Sequence, residues 1–229
     1  MGVLYLIRHG QASFGSDDYD RLSALGVEQA RILGASLASR AIRPTHVVSG
    51  DMLRHRQTAE ACLAALGAGQ PLVDAGWNEF DHEELLQRFE PRYKDRAEIG
   101  ADMAKAAHAG IALRDIFGRA IDRWIDGEYD AEYRETWAQF RARSTAALER
   151  AVAASRARDA TTLVFSSGGV VGSLVGGLLG LDDKRAFSLQ WSIVNASITR
   201  VRVGGSSVAV TTFNEHQHLE HDRRLVTSR

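Results

Sequence analysis

The chain has 229 residues, 45% hydrophobic and 25% charged, and its 28 Lys and Arg against 29 Asp and Glu leave a formal net charge of −1. This average composition excludes low-complexity disorder, collagen-like repeats and coiled coils, and near-neutrality without a long basic block argues against nucleic acid or an anionic membrane as the main partner. A single cysteine, Cys62, excludes an internal disulfide and a cysteine zinc cluster and suits a reducing compartment, the cytoplasm.

The first residues reach Arg8 and His9 without the basic leader and long apolar stretch of a signal peptide. Val3 to Ile7 is a short apolar run that stops at Arg8-His9-Gly10, the pattern of a buried strand delivering polar residues to its carboxyl end. A Gly/Ser/Asp segment follows from Ser13 to Asp20. Ser23 is placed as the N-cap of a helix from about Leu25, in which Ala30, Leu33 and Leu37 recur at helical spacing. His46-Val47-Val48-Ser49 reads as a second strand ending at Gly50-Asp51. Ala59, Cys62, Leu63 and Leu66 then follow i, i+3, i+4, i+7, so a second helix turns Cys62 into the core as an inert thiol. A short strand is expected near Leu72 to Asp74.

Residues from about 81 to 158 carry no convincing strand, many charges, and aromatic positions at helical intervals, among them Phe117, Trp124, Trp137 and Phe140. The stretch reads as a helical insertion within a single domain spanning 1–229, with Trp137 to Ser155 as a long helix. Its charges between Glu83 and Lys105 suit a solvated helical surface. Thr161 to Phe165 is a β-branched run followed by Ser166-Ser167-Gly168-Gly169 and a glycine-rich helix. In that helix Gly168, Gly172, Gly176 and Gly180 give one bare face, expected to lie against a sheet. The apolar run from 170 to 181 is too short for a bilayer crossing of about 20 residues. Ile198 to Val203 and Ser207 to Phe213 flank Gly204-Gly205 as an antiparallel hairpin. Strand, turn and helix, three times over, with later antiparallel strands, define an α/β layered fold whose functional residues gather at the carboxyl ends of the strands. That rule brings together Arg8-His9-Gly10, Ser49 to Arg54, Asn78-Glu79 and Ser166 to Gly169.

A histidine after Arg at the end of a buried strand can act as nucleophile, base, metal ligand or plain core residue, the last being commonest for an isolated one, and its company shifts that reading. Arg8 and Arg54 can both fork onto one phosphoryl group, because a guanidinium presents paired donors matching phosphate oxygens. A neutral His9 beside that anion is placed for in-line attack on phosphorus, and Glu79 supplies the proton that a leaving alkoxide needs. The residues that carry this chemistry also carry a resemblance. Leu6-Ile7-Arg8-His9-Gly10-Gln11-Ala12, with Leu22-Ser23 through Gly26 and Gln29-Ala30, resembles the opening of the histidine phosphatase superfamily, also called phosphoglycerate mutase-like. Ser49-Gly50-Asp51-Met52-Leu53-Arg54-His55-Arg56-Gln57-Thr58-Ala59 is similar to its second motif, and Trp77-Asn78-Glu79-Phe80 to its acid motif. The resemblance implies His9 as the phosphorylated nucleophile, Arg8 and Arg54 as phosphate clamps, Glu79 as proton donor, and Ser167 with Gly168 on the phosphate-binding edge. It also implies a three-layer α/β/α sandwich with a mixed, mostly parallel sheet and a helical lid insertion.

Three departures from the family pattern stand out. The fourth motif normally reads strand, histidine, Gly-Gly, and here Ser167 takes the place of that second histidine. The first loop has Phe14-Gly15 where Trp-Asn is frequent, and position 55 is His where Ala is usual. A serine hydroxyl donates one hydrogen bond but carries no positive charge, so weaker catalysis is implied; a histidine restored at 167 is expected to tighten phosphate binding if the pocket has room. The activity implied is that of a phosphomonoester hydrolase working on a small-molecule substrate without metal or other cofactor. The alternatives are a phosphoglycerate mutase-type transferase and a catalytically feeble phosphate-binding or interaction protein. Two other constellations are weaker. Ser167 at a strand-to-helix turn lacks the glycine that a serine hydrolase elbow needs at 165. His216, His218 and His221 read as a solvated C-terminal segment rather than a metal site.

Overall fold

The structure, a computed structural model, describes residues 1–13, 20–108 and 113–228. β1 (Gly2–Arg8) pairs in parallel with β4 (Thr161–Ser166) and antiparallel with β5 (Ile198–Val203). β2 (His46–Ser49) joins β4 and β3 (Leu72–Val73) in parallel, and β6 (Val208–Glu215) closes the other edge against β5. The order in this six-stranded mixed sheet is β3-β2-β4-β1-β5-β6. Its register aligns three carboxyl ends: Arg8 faces Ser166, and Ile7 and Ser49 both face Phe165 from opposite sides of β4. The loops that follow β1, β2 and β4 therefore leave the sheet at one level.

Side-chain alternation along β1 and β4 sorts the core into two faces. Tyr5, Ile7, Leu163 and Phe165 meet Leu33 and Leu37 of α1 (Ala24–Ser39) and Ala59, Cys62 and Leu63 of α2 (Leu53–Leu66). Leu4, Leu6 and Val164 alternate onto the other face, where α7 (Gly168–Leu178) packs on β1. The Ser155 hydroxyl, just past the end of α6 (Trp137–Ala154), donates to Thr162 Oγ1 at 2.7 Å. Ser23 caps α1 by accepting from Gly26 N, as its sequence predicts. Cys62 is buried, and burial pushes its thiol up to about 12, so the inert reading holds.

The glycine face of α7 does not meet the sheet. A Cβ at Gly172 would fall 2.9 Å from Gln190 N, and one at Gly176 would fall 2.2 Å from Ala186 Cβ. The bare face lets α8 (Asp183–Ser188) and the turn after it close onto α7. The apolar side chains of α7, Val170, Val171, Leu174 and Val175, are buried.

The chain divides into two compact units, one of Met1–Glu79 with Arg143–Arg229 and one of Phe80–Ala142. The second unit holds α3 (His82–Phe89), α4 (Arg96–His108), α5 (Leu113–Asp126) and the start of α6. Phe80, Trp124, Trp137 and Phe140 form its aromatic centre, with Trp124 edge-on to Trp137 at 5.2 Å between ring centroids. Glu84 is an exception to the solvated surface expected there, being buried and held by Arg88 and Arg134. Among the described residues no helix is long and apolar enough to cross a membrane.

Candidate active site

The loop after β1 is held by its backbone. A Cβ at Gly10 would lie 2.3 Å from Gly26 O, so this loop can approach the start of α1 only without a side chain there. Gly10 N donates to Thr58 Oγ1 at 3.0 Å, and His9 O accepts from Asn195 Nδ2 at 3.2 Å. His9 is buried, and its Nδ1 lies 2.7 Å from Gly10 O. A carbonyl only accepts, so Nδ1 carries the proton and Nε2 keeps its lone pair. Burial, then the charges of Arg54 and Arg8, hold the pKa of His9 well below 6.5. The ring is therefore neutral and presents one nucleophilic nitrogen.

Arg54 sits in the first turn of α2 and is buried. Its Nη1 donates to Asp20 Oδ1 at 2.7 Å, while Asp20 Oδ2 accepts from Leu53 N at 2.8 Å. One carboxylate thus anchors the guanidinium and caps α2, whose own N-cap residue, Met52, makes no side-chain cap bond. Arg8 leaves the end of β1 with Nη1 donating to Ile193 O and, at 3.3 Å, to Ser228 O. Gly168 lies beside it: a Cβ there would be 3.5 Å from Arg8 Nε.

Glu79 is brought to the same edge by a laced loop. Asn78 Oδ1 accepts from Asp51 N at 2.7 Å, Ser166 Oγ donates to Trp77 O at 2.8 Å, and Arg143 Nη1 donates to Asn78 O at 2.7 Å. The carboxylate Oε2 accepts from Gly169 N at 3.0 Å, in the first turn of α7. Ser167, at the N-cap position of that helix, is fully buried and 2.6 Å from His55 Nε2. The His55 and His9 rings are 5.8 Å apart. His55 Nε2 stands 2.6 Å from Ser167 Oγ, so a histidine at 167 would have to compete with that ring for space.

The first unit thus gathers Arg8, His9, Arg54, Glu79, Ser167 and Gly168 at the carboxyl ends of its strands. Sequence reasoning missed Asp20 as the Arg54 anchor, Arg143 as the brace of the Glu79 loop, and Asn195. None has a local signal, because each partner lies at least 34 residues away. The Phe14-Gly15 departure, and most of the Ser13 to Asp20 segment, lie outside the described residues. The three C-terminal histidines do not share a strand face. His216 follows β6, His218 is in a short 3-10 turn, and all three direct a ring nitrogen at a backbone carbonyl. Among the described residues no group of three or more His, Cys, Asp or Glu could hold a metal ion.

A mixed α/β sheet with a neutral histidine at its carboxyl edge, within reach of two arginine charges, defines a histidine-centred α/β protein. The chain belongs to the histidine phosphatase superfamily (branch 1), whose family model matches residues 4–216. The 2,3-bisphosphoglycerate-dependent phosphoglycerate mutase of Sinorhizobium fredii (strain NBRC 101917 / NGR234) is 33% identical over an alignment of 93 residues that covers 37% of this chain and 44% of that protein. The match therefore spans less than half the length of that relative. Solved structures share the fold. A phosphoserine phosphatase mutant from Entamoeba histolytica, in complex with phosphoserine, superposes with a TM-score of 0.64 at 16% identity, covering 96% of this chain and all of that one. A mycobacterial glucosyl-3-phosphoglycerate phosphatase gives 0.61 at 22% identity, covering 94% and 99%. A phosphoglycerate mutase from Bacillus anthracis str. Sterne gives 0.64 at 17% identity, covering 95% and 94%.

Two outcomes are expected from this geometry. His9 and His55 are held well below 6.5, and His218 is lowered to about 4, in each case first by burial. Unfolding raises all three back towards 6.5, so the unfolded chain binds more protons below that pH and stability falls as pH drops through 6.5. Urea midpoints measured from pH 7.5 down to 4.5 will decrease, and the slope will be shallower in His218→Gln, which no longer titrates. Asp20→Ala removes a helix cap and the Arg54 anchor together. Calorimetry will show a loss of roughly 0.5–2 kcal/mol in stability for the cap, and titration with inorganic phosphate will show weaker binding than in wild type.

Proposed function

We propose that the protein is a phosphomonoester hydrolase that works through a phosphohistidine on His9, with no metal in the scheme. The observation that carries this reading is the His9 tautomer: Nδ1–H is committed to Gly10 O, which leaves Nε2 as the attacking atom beside Arg8 and Arg54. In the first step Nε2 bonds to phosphorus, the ester P–O bond breaks, and the leaving oxygen takes its proton from Glu79. In the second, water bonds to phosphorus, its proton passes to the Glu79 carboxylate, and the P–N bond breaks to return neutral His9 and inorganic phosphate. Arg8 and Arg54 carry the charge of the equatorial oxygens throughout, with Ser167 and the Gly168 turn as further phosphate contacts.

The relatives named above include phosphatases and mutases. A mutase has to keep its phosphoenzyme from water, and a neutral hydroxyl at 167 favours release over retention, which supports the hydrolase. The mutase reading draws on the Sinorhizobium relative, and assays with a phosphoglycerate separate the two by whether phosphate is released or moved within the substrate.

His9→Ala will abolish p-nitrophenyl phosphate hydrolysis; a mutant that keeps most of its rate would end this mechanism. Glu79→Gln will slow an alkyl phosphate by at least about tenfold more than p-nitrophenyl phosphate, whose leaving phenolate needs little protonation. Steady-state rates on both substrates check this, and equal losses would reassign the acid.

A further inference from the structure

Ser167 occupies the N-cap position of α7, where a serine oxygen ordinarily accepts from the first turn, yet it makes no cap hydrogen bond. It meets His55 Nε2 at 2.6 Å instead, and both side chains are fully buried. The other ring nitrogen, Nδ1, is enclosed without a hydrogen-bond partner among the described residues. Nδ1 lies against Gly50: a Cβ there would come within 2.2 Å of it, and the Gly50 N–H is already spent on Phe165 O.

This asymmetry assigns the proton. A buried N–H pressed on a Cα with no acceptor is costlier than a buried lone pair in the same place, so the hydrogen resides on Nε2 and is donated to Ser167 Oγ. Burial first, then the charge of Arg54, hold the His55 pKa well below 6.5, which keeps a single proton on the ring. With its oxygen accepting from His55, the Ser167 hydroxyl hydrogen is directed to another acceptor. The chain around it is the phosphate edge: Gly168 adjoins Arg8, Gly169 N meets Glu79, and the His55 ring lies 5.8 Å from that of His9.

We propose that His55 is a positioning residue for phosphoryl transfer, its Nε2–H holding Ser167 so that the serine hydroxyl donates to the phosphoryl group carried at His9. The inference rests on the reading of His9 as nucleophile. It gives the site a two-bond chain, His55 to Ser167 to phosphate, in which the first bond polarises the second and makes a neutral serine a better donor than serine alone. The chain's two departures at 55 and 167 are then one arrangement.

The test uses the full chain, p-nitrophenyl phosphate turnover, and inorganic phosphate and orthovanadate as binding probes. His55→Leu fills the same volume without a donor and is expected to lower kcat and weaken both anions by about tenfold, the scale of one neutral hydrogen bond. Ser167→Ala is expected to lose as much, and the double variant to lose no more than either single one. His55→Gln, which restores a neutral N–H near the position of Nε2, is expected to recover most of the loss. A merely structural His55 would change the melting temperature and leave anion affinity within about twofold, and that result overturns the proposal. So does failure of His55→Gln to recover, which would mean that the imidazole acts by charge. If a thermal melt shows His55→Leu unfolded, Ser167→Ala decides: unchanged anion affinity there is equally fatal. His9→Ala runs alongside as the reference. Its retention of activity overturns the hydrolase reading, whereas an inactive His9→Ala with an unaffected His55→Leu overturns only the role of His55.

Discussion

A histidine nucleophile flanked by cationic side chains has to be kept neutral and has to point one particular nitrogen at the substrate. The second condition is met by the hydrogen bond from His9 Nδ1 to the carbonyl of the next residue, and the first by burial beside Arg54 and Arg8. The bond fixes the tautomer, and burial with the two guanidiniums keeps a second proton off the ring. Those same charges favour an anion in front of Nε2. In the proposed mechanism one electrostatic arrangement thus makes the nucleophile available and prepares the place for phosphate, and the surrounding loops serve to hold it.

The holding is done largely by backbone groups and by residues distant in sequence. Gly10 lets the loop after β1 close on α1, and Thr58 and Asn195 then fix it from two sides. Asp20 ties the start of α2 to Arg54, and Arg143 ties the Glu79 loop by its carbonyls. The proposed chemistry tolerates little displacement of its groups, and these braces hold positions that apolar packing alone does not set. The boundary between the two compact units falls directly after Glu79, so the proposed acid is the last residue of its run in the first unit.

Much of this was legible in the residues themselves. The runs Val3 to Ile7 and His46 to Ser49 read as strands because they are short, apolar and stopped by polar or glycine residues. Ser23 read as a cap because its partner is three positions away. The superfamily resemblance rests on motifs whose chemistry is local. What escaped was non-local. The apolar periodicity located the body of α2 but not its first turn, since Asp20 supplies the cap from 33 residues upstream. The bare face of α7 was visible as a spacing, but periodicity does not say whether a sheet or a helix will fill it, and α8 does. His55 and Ser167 were each visible as departures; only the fold, joining residues 112 apart, makes them neighbours.

The central claim, that His9 Nε2 becomes the phosphorylated atom, is open to one direct measurement. Protein labelled with 15N in its histidines and quenched during turnover of an aryl phosphate can be read by 31P and 15N NMR, with mass spectrometry locating the modified residue. The account predicts a phosphoryl group on Nε2 of His9 and on no other histidine. Phosphorylation at Nδ1, at His55, or on a residue other than histidine would contradict it.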